Sequence, residues 1–273
     1  MENSKLQTGV EDVTRWWGDF RLPEAQALRC EIGSLRLSVQ RRGDEWLLAW
    51  ETGSEMSAGT SSACTPAVAD SPEAYANTER YLFQTPRETL YVRPLLADRP
   101  VVSRPTVPFQ LPPGEETVIF ISSPVWVKLE VGEPRAALSE LPVQRLSDTW
   151  FGASTREGEL CYATQTAARL FLHELPARAH RAVTPVQIRN RADTPLRLDR
   201  ISLPTPYLRL YHDARGMLWT QAITLRREEG SDLAALSVEQ TPPREADGAV
   251  LLSEPRRTAG KSSFVRAFGA LFS

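Results

Sequence analysis

Between Leu90 and Trp150 the chain alternates short apolar runs with prolines, as LYVRPLLADRPVVSRPTVPFQLPPGEETVIFISSPVWVKLEV and then, after a looser stretch, LSDTWFG. Proline has no backbone N–H and a fixed φ, so it breaks helices and is tolerated at strand edges, strand ends and turns. The whole chain carries 21 prolines in 273 residues, about 8% against a usual ~5%. This texture confines the fold to β structure. Within it, the run Val118-Ile119-Phe120-Ile121 predicts a strand covered on both faces and central in its sheet.

Strand patterns continue on both sides of this block. Leu35, Leu37 and Val39 alternate with polar residues over Ser34–Gln40, Arg41-Arg42-Gly43-Asp44 supplies a turn, and Glu45–Glu51 returns as the second arm of a hairpin. Residues 52–77 are rich in Gly, Ser, Ala and Thr and read as a long mobile loop. Strands are expected over 90–95, 100–103, 116–122 and 125–131, with 132–146 as a connection. A second series covers 159–172, 182–189, 196–203, and a pair at 207–212 and 218–225 joined by Asp213-Ala214-Arg215-Gly216. Such spacing, with turn signals between segments, indicates a sandwich or barrel. The expected architecture is all-β: an antiparallel β-sandwich of two packed lobes, residues 10–131 and 147–254. A basic tail over 255–273 follows.

Composition narrows the function classes. The chain is 41% hydrophobic and 24% charged, as in globular proteins, and its net charge of −2 gives no field for nucleic acid. The segment MENSKLQTGVEDVTRWW has no basic-then-apolar leader, and no apolar run approaches the ~18 residues of a membrane helix. The expected compartment is the cytoplasm. Cys30, Cys64 and Cys161 are odd in number and widely spaced, which argues against a disulfide framework and against a zinc knuckle.

Several stretches together resemble one prokaryotic family. They are Arg93-Pro94-Leu95, Asp98-Arg99-Pro100-Val101-Val102, the Pro-Pro-Gly turn, Ser122 to Val127, Leu146 to Gly152, Gly158 to Ala163, and Thr184 to Asn190. The chain from about Ser34 to Arg226 is similar to domain-of-unknown-function family 432, with the Ser/Gly/Ala stretch as an insertion. That resemblance implies a prokaryotic protein without an assigned activity. It also implies a setting near a membrane channel, since members are sometimes encoded beside small mechanosensitive channels.

Motifs for chemistry are sparse. Gly260-Lys261-Ser262-Ser263 imitates the end of a phosphate-binding loop, but position 255 is Pro where that loop needs Gly. His173, His180 and His212 lack ligand spacing, Cys161 reads as a small core residue, and no nucleophile elbow is present. No cofactor or metal is expected. The best local candidate for a site is Asp148-Thr149-Trp150, where a carboxylate, a hydroxyl and an aromatic ring can recognise a sugar or peptide. The plainer reading has these aromatics plugging a sheet interface. Arg93 and Arg99, with Arg104, could grip an anion or acidic partner, or simply pair with Asp98.

The tail carries Arg256, Arg257, Lys261 and Arg266 and no acidic side chain. At helical spacing Phe264, Val265, Phe268, Leu271 and Phe272 fall within an arc of roughly 120°. Such a short amphipathic helix can dock on the protein's own core, on a partner or on an anionic membrane surface. The sequence therefore points to a non-enzymatic binding module whose partner is another protein or a second copy. The alternative is a hydrolase-type enzyme with a polar site between the lobes.

Overall fold

The computed structural model describes residues 15–53, 62–68, 74–152, 154, 156–166, 169–229 and 234–258. Strand β1 (Gly18–Arg21) pairs with β7 (Thr89–Leu95), β7 with β11 (Trp126–Val131), and β11 with β12 (Ala136–Pro142). In a second sheet β2 (Gln26–Ile32), β3 (Leu35–Arg42) and β4 (Glu45–Thr52) form a meander. It is flanked by β5 (Ser62–Val68) on β2 and β6 (Asn77–Leu82) on β4. A third sheet runs in the order β13 (Ser147–Phe151), β14 (Glu159–Thr166), β8 (Val101–Pro105), β17 (Ile201–Leu203). Two short strands, β9 (Phe109–Leu111) and β16 (Leu196–Leu198), pair alone.

The largest sheet gathers around β15 (Arg181–Asn190). Strand β10 (Glu116–Pro124) lies antiparallel along one edge of β15 over nine residue pairs. On the other edge β19 (Leu218–Thr220) and β20 (Ile223–Arg227) follow one another end to end, both parallel to it. Strands β18 (Leu210–His212) and β22 (Val250–Ser253) extend the sheet from β19, and β21 (Ala234–Val238) from β20. Pro185 sits in this central strand without breaking it. Its neighbours on the second edge are Leu218 and Trp219 up to Val183, then Ile223 onward from Val186, so Pro185 falls in the gap where no ladder donor is needed. The Thr184 and Thr220 hydroxyls, 2.9 Å apart, occupy that gap.

Both ends of β15 are fastened by side chains. The buried Arg181 guanidinium donates to Ser122 Oγ (2.8 Å), Ser122 O (2.7 Å) and Gln144 Oε1 (3.0 Å). Asn190, fully buried, donates through Nδ2 to the carbonyls of Leu111, Pro112 and Thr194 at 2.9–3.1 Å and accepts from the Ala192 N–H.

The all-β sandwich expectation is met, with three corrections. The strand central to its sheet is β15, whereas β10 has β15 on one side and a single bridge, Phe120 to Arg169, on the other. Pairing is mostly antiparallel, but β14 with β8 and β15 with β19 and β20 are parallel. Strand β5 lies inside the stretch 52–77 read as a loop, and β12 inside the connection 132–146. Both are half-exposed edge strands, so neither carries the apolar alternation that marks a buried one. Pairings cross the interval between residues 131 and 147: β8 lies between β14 and β17, β9 meets β16, and β10 meets β15. One apolar core holds Leu28, Leu90, Val102, Leu198 and Val186, a buried residue from each of the five sheets. The tail residues Phe264, Phe268, Leu271 and Phe272 lie outside the described residues.

The cysteine reading is also corrected. Cys30 on β2 and Cys64 on β5 are directly opposite in the ladder and form a disulfide, which leaves buried Cys161 free. Spacing alone could not pair them because β5 was not visible as a strand. The oxidised protein is expected to show one reactive thiol on unfolding and three after reduction, counted with a chromogenic disulfide reagent. Cys30→Ser with Cys64→Ser should lower stability by about 2–4 kcal/mol in urea titrations.

Candidate functional site

The hairpin β13–β14 forms one margin of the third sheet, and strand alternation sorts its side chains. Asp148 is opposite Tyr162 and Trp150 opposite Leu160, so these four share a face. Thr149 and Phe151 lie on the other face, opposite Cys161 and Glu159; Phe151 and Cys161 are buried there. The Asp148-Thr149-Trp150 stretch, expected as a loop, is thus an edge strand. Its aromatics divide the two roles weighed for them, Phe151 plugging the core and Trp150 facing outward.

Arg99 enters this face from the turn before β8. Its Nη1 lies 3.2 Å from Asp148 Oδ1, its Nε 3.9 Å from Asp98 Oδ2, and its guanidinium stacks 5.2 Å from the Tyr162 ring centre. Tyr162 donates its hydroxyl to Asp98 Oδ1 at 3.0 Å and packs against Trp126, centroids 5.3 Å apart. Burial, reinforced by the Asp98 carboxylate, raises the Tyr162 phenol above its ordinary value. Arg99 and Asp148 are 37% and 59% exposed, so their pairing contributes about 0–1 kcal/mol and remains available for exchange with a ligand. Beside this polar group Trp150 and Leu160 are each 44% exposed and form an apolar step at the sheet margin.

The hairpin turn fixes Trp150. Its indole N–H donates to Ser154 O at 2.8 Å, and Ser154 Oγ accepts from the backbone N–H groups of Arg156 and Glu157. The two arms of the turn touch where Gly152 meets Gly158. A Cβ on Gly152 would lie 2.0 Å from Glu157 O, and one on Gly158 2.6 Å from Phe151 O. The glycine ending the Asp-Thr-Trp-Phe-Gly stretch is required by that backbone approach. Gly152→Ala is expected to cost about 1–3 kcal/mol in chemical denaturation.

Arg93 belongs elsewhere. It donates to Gly18 O at 2.7 Å, ion-pairs with Asp19 and stacks on Tyr91, so it fastens β1 to β7. Arg104, paired in register with Gln165, is exposed. Sequence reasoning thus found Arg99, Asp148 and Trp150, while Leu160 and Tyr162 were missed as members. The signal that could have found them is register: a hairpin closed at Gly152 and Gly158 sets both opposite the motif.

The remaining reactive side chains serve the fold. Burial, then the nearby Glu159, pushes the Cys161 thiol up to about 12, so it is no nucleophile near neutrality. His173 stacks on Phe171, and His212 Nδ1 lies 2.9 Å from Asp213 O. Among the described residues no group of three or more His, Cys, Asp or Glu is placed to hold a metal ion. His180 is fully buried against Gly33, with Nδ1 3.3 Å from Ser62 Oγ, and burial together with Arg181 and Arg178 depresses it to about 4. The folded chain therefore refuses a proton that the unfolded chain takes up below about pH 6.5. Stability is unaffected by this group above that pH and falls as pH drops toward 4. The loss at pH 4.5 should be about 2–3 kcal/mol relative to His180→Gln, read from paired urea titrations at pH 7.5 and 4.5.

No helix among the described residues is long and apolar enough to cross a membrane. No curated protein and no solved structure matches the chain. A family model described as "Protein of unknown function (DUF432)" matches residues 16–273, extending the resemblance read from the proline-rich block over nearly the whole length. The chain, with its β13–β14 margin built from the very stretches that carried that resemblance, belongs to the DUF432 family.

Proposed function

We propose that this protein is a non-enzymatic binding module that takes an extended segment of a partner polypeptide along β13. The observation that carries the reading is the unburied apolar pair Trp150 and Leu160 on an edge strand, next to the Asp98–Arg99–Asp148–Tyr162 group. Among the described residues β13 pairs with β14 only, so its outer edge offers backbone groups to an added strand. An exposed tryptophan beside a stacked arginine is the combination that dominates protein-binding surfaces. The openness of the cluster favours a module over a hydrolase, whose polar groups would converge in an enclosed pocket. A cytoplasmic setting near a membrane protein belongs to the same proposal, and there the Cys30–Cys64 pair would be held as two thiols.

The test is a peptide-display selection against the chain ending at Thr258. Enriched peptides are expected to carry an extended apolar segment and to lose about tenfold or more in affinity on Trp150→Ala or Leu160→Ser, a hot-spot-sized effect. Arg93→Ala, away from this face, should leave their affinity unchanged. Selected peptides indifferent to Trp150 and Leu160, or no selected peptides, would overturn the reading.

A further inference from the structure

The described chain ends beside the candidate site. Arg256 donates through Nε to Leu96 O at 2.8 Å and through Nη1 to Glu140 Oε2 at 2.5 Å. The Arg257 N–H donates to Pro206 O at 2.9 Å, and the neighbouring Thr205 hydroxyl donates to the carbonyl of Arg99 at 2.7 Å. Residues 256–257 are therefore pinned against the segment that delivers Arg99 to the β13–β14 face. Glu159, the residue before Leu160, senses the positive charge of Arg257, which opposes the rise that burial imposes on its carboxyl. From this anchor the chain continues for 15 residues, 259–273.

We propose that residues 259–273 cover the Trp150–Leu160 surface of the same molecule and compete with the partner polypeptide for it. The inference rests on the reading of that surface as the binding face. Three features of the chain fit this occupant. The five residues 259–263, at up to ~3.4 Å each, give a reach of about 17 Å before the first phenylalanine. The apolar set Phe264, Val265, Phe268, Leu271 and Phe272 needs a counterpart, and Trp150 and Leu160 stand half-uncovered next to the anchor. Charge agrees as well: Lys261 and Arg266 approach a face where two carboxylates, Asp98 and Asp148, share Arg99.

Tethering makes a weak contact sufficient. A short linker supplies an effective concentration in the mM range, so an affinity of only ~100 µM in trans leaves the surface covered about nine-tenths of the time. A partner must then displace the tail, and its apparent affinity falls by the same factor of about ten. The tail thus sets a threshold for partner binding.

The test uses a fluorescein-labelled synthetic peptide of residues 259–273, titrated by anisotropy into the full chain and into the chain ending at Thr258. The peptide should bind the shortened chain with a Kd of roughly 10–200 µM and the full chain about tenfold more weakly, because the tethered copy occupies the site. Trp150→Ala or Leu160→Ser in the shortened chain should abolish binding, and Leu251→Ser on β22 should not. Should the shortened chain fold poorly in thermal melts, Phe264→Ser with Phe268→Ser in the full chain serves instead and should open the surface to the peptide. Equal binding to full and shortened chains, or binding that survives Trp150→Ala, overturns the inference. So does a peptide that binds only phosphatidylcholine–phosphatidylserine vesicles, or a full chain whose tail associates with a second copy on sedimentation. If display-selected peptides bind through Trp150 while the tail peptide does not, the inference fails and the binding reading stands. If neither binds, both fail.

Discussion

Nine consecutive residue pairs join β10 to β15, and the positions of the other sheets follow from that ladder. Strand β15 presents one edge to β10 and divides the other between β19 and β20, which arrive from later in the chain. Arg181 and Asn190 hold its two ends with hydrogen bonds to backbone and amide groups, leaving the buried guanidinium and carboxamide satisfied where an orphaned group would cost several kcal/mol. Val186 and Ile188 from this strand meet Leu28, Leu90 and Val102 in one apolar core. Loss of this ladder would disconnect the first half of the chain from the second.

The candidate face depends on that construction at one remove. Strand β8 enters between β14 and β17, and its preceding turn carries Asp98 and Arg99 to the margin where β13 ends the sheet. Alternation does the rest: a period of two puts Asp148, Trp150, Leu160 and Tyr162 outward together and sends Phe151 and Cys161 into the core. A one-residue slip in the β13–β14 register would bury Trp150 and expose Phe151, and the contact of Gly152 with Gly158 prevents that slip.

How much was legible follows from which signals are local. The hairpin β3–β4 and the turn from Asp213 to Gly216 could be read because apolar alternation and turn residues lie within a few positions of each other. Edge strands β5 and β12 were not, since half-exposed strands have no need of an apolar face. Pro185 would have argued against a central strand; it is admitted only because two different neighbours abut beside it. Within the site, Asp148, Trp150 and Arg99 were recognised as residues able to bind, while Arg93 was grouped with them and serves β1 instead.

By itself the sequence determined that this chain is β-structured, because prolines at such density exclude helices, and that it belongs with the DUF432 proteins. It also determined which residues carry recognition chemistry. Only the tertiary structure decided which of them meet. Pairing between strands far apart in sequence is set by long-range packing and by register, and neither leaves a trace in local patterns. That is why the Cys30–Cys64 bond, the parallel pairs around β15 and the placing of Arg99 between Asp148 and Tyr162 came from the fold alone.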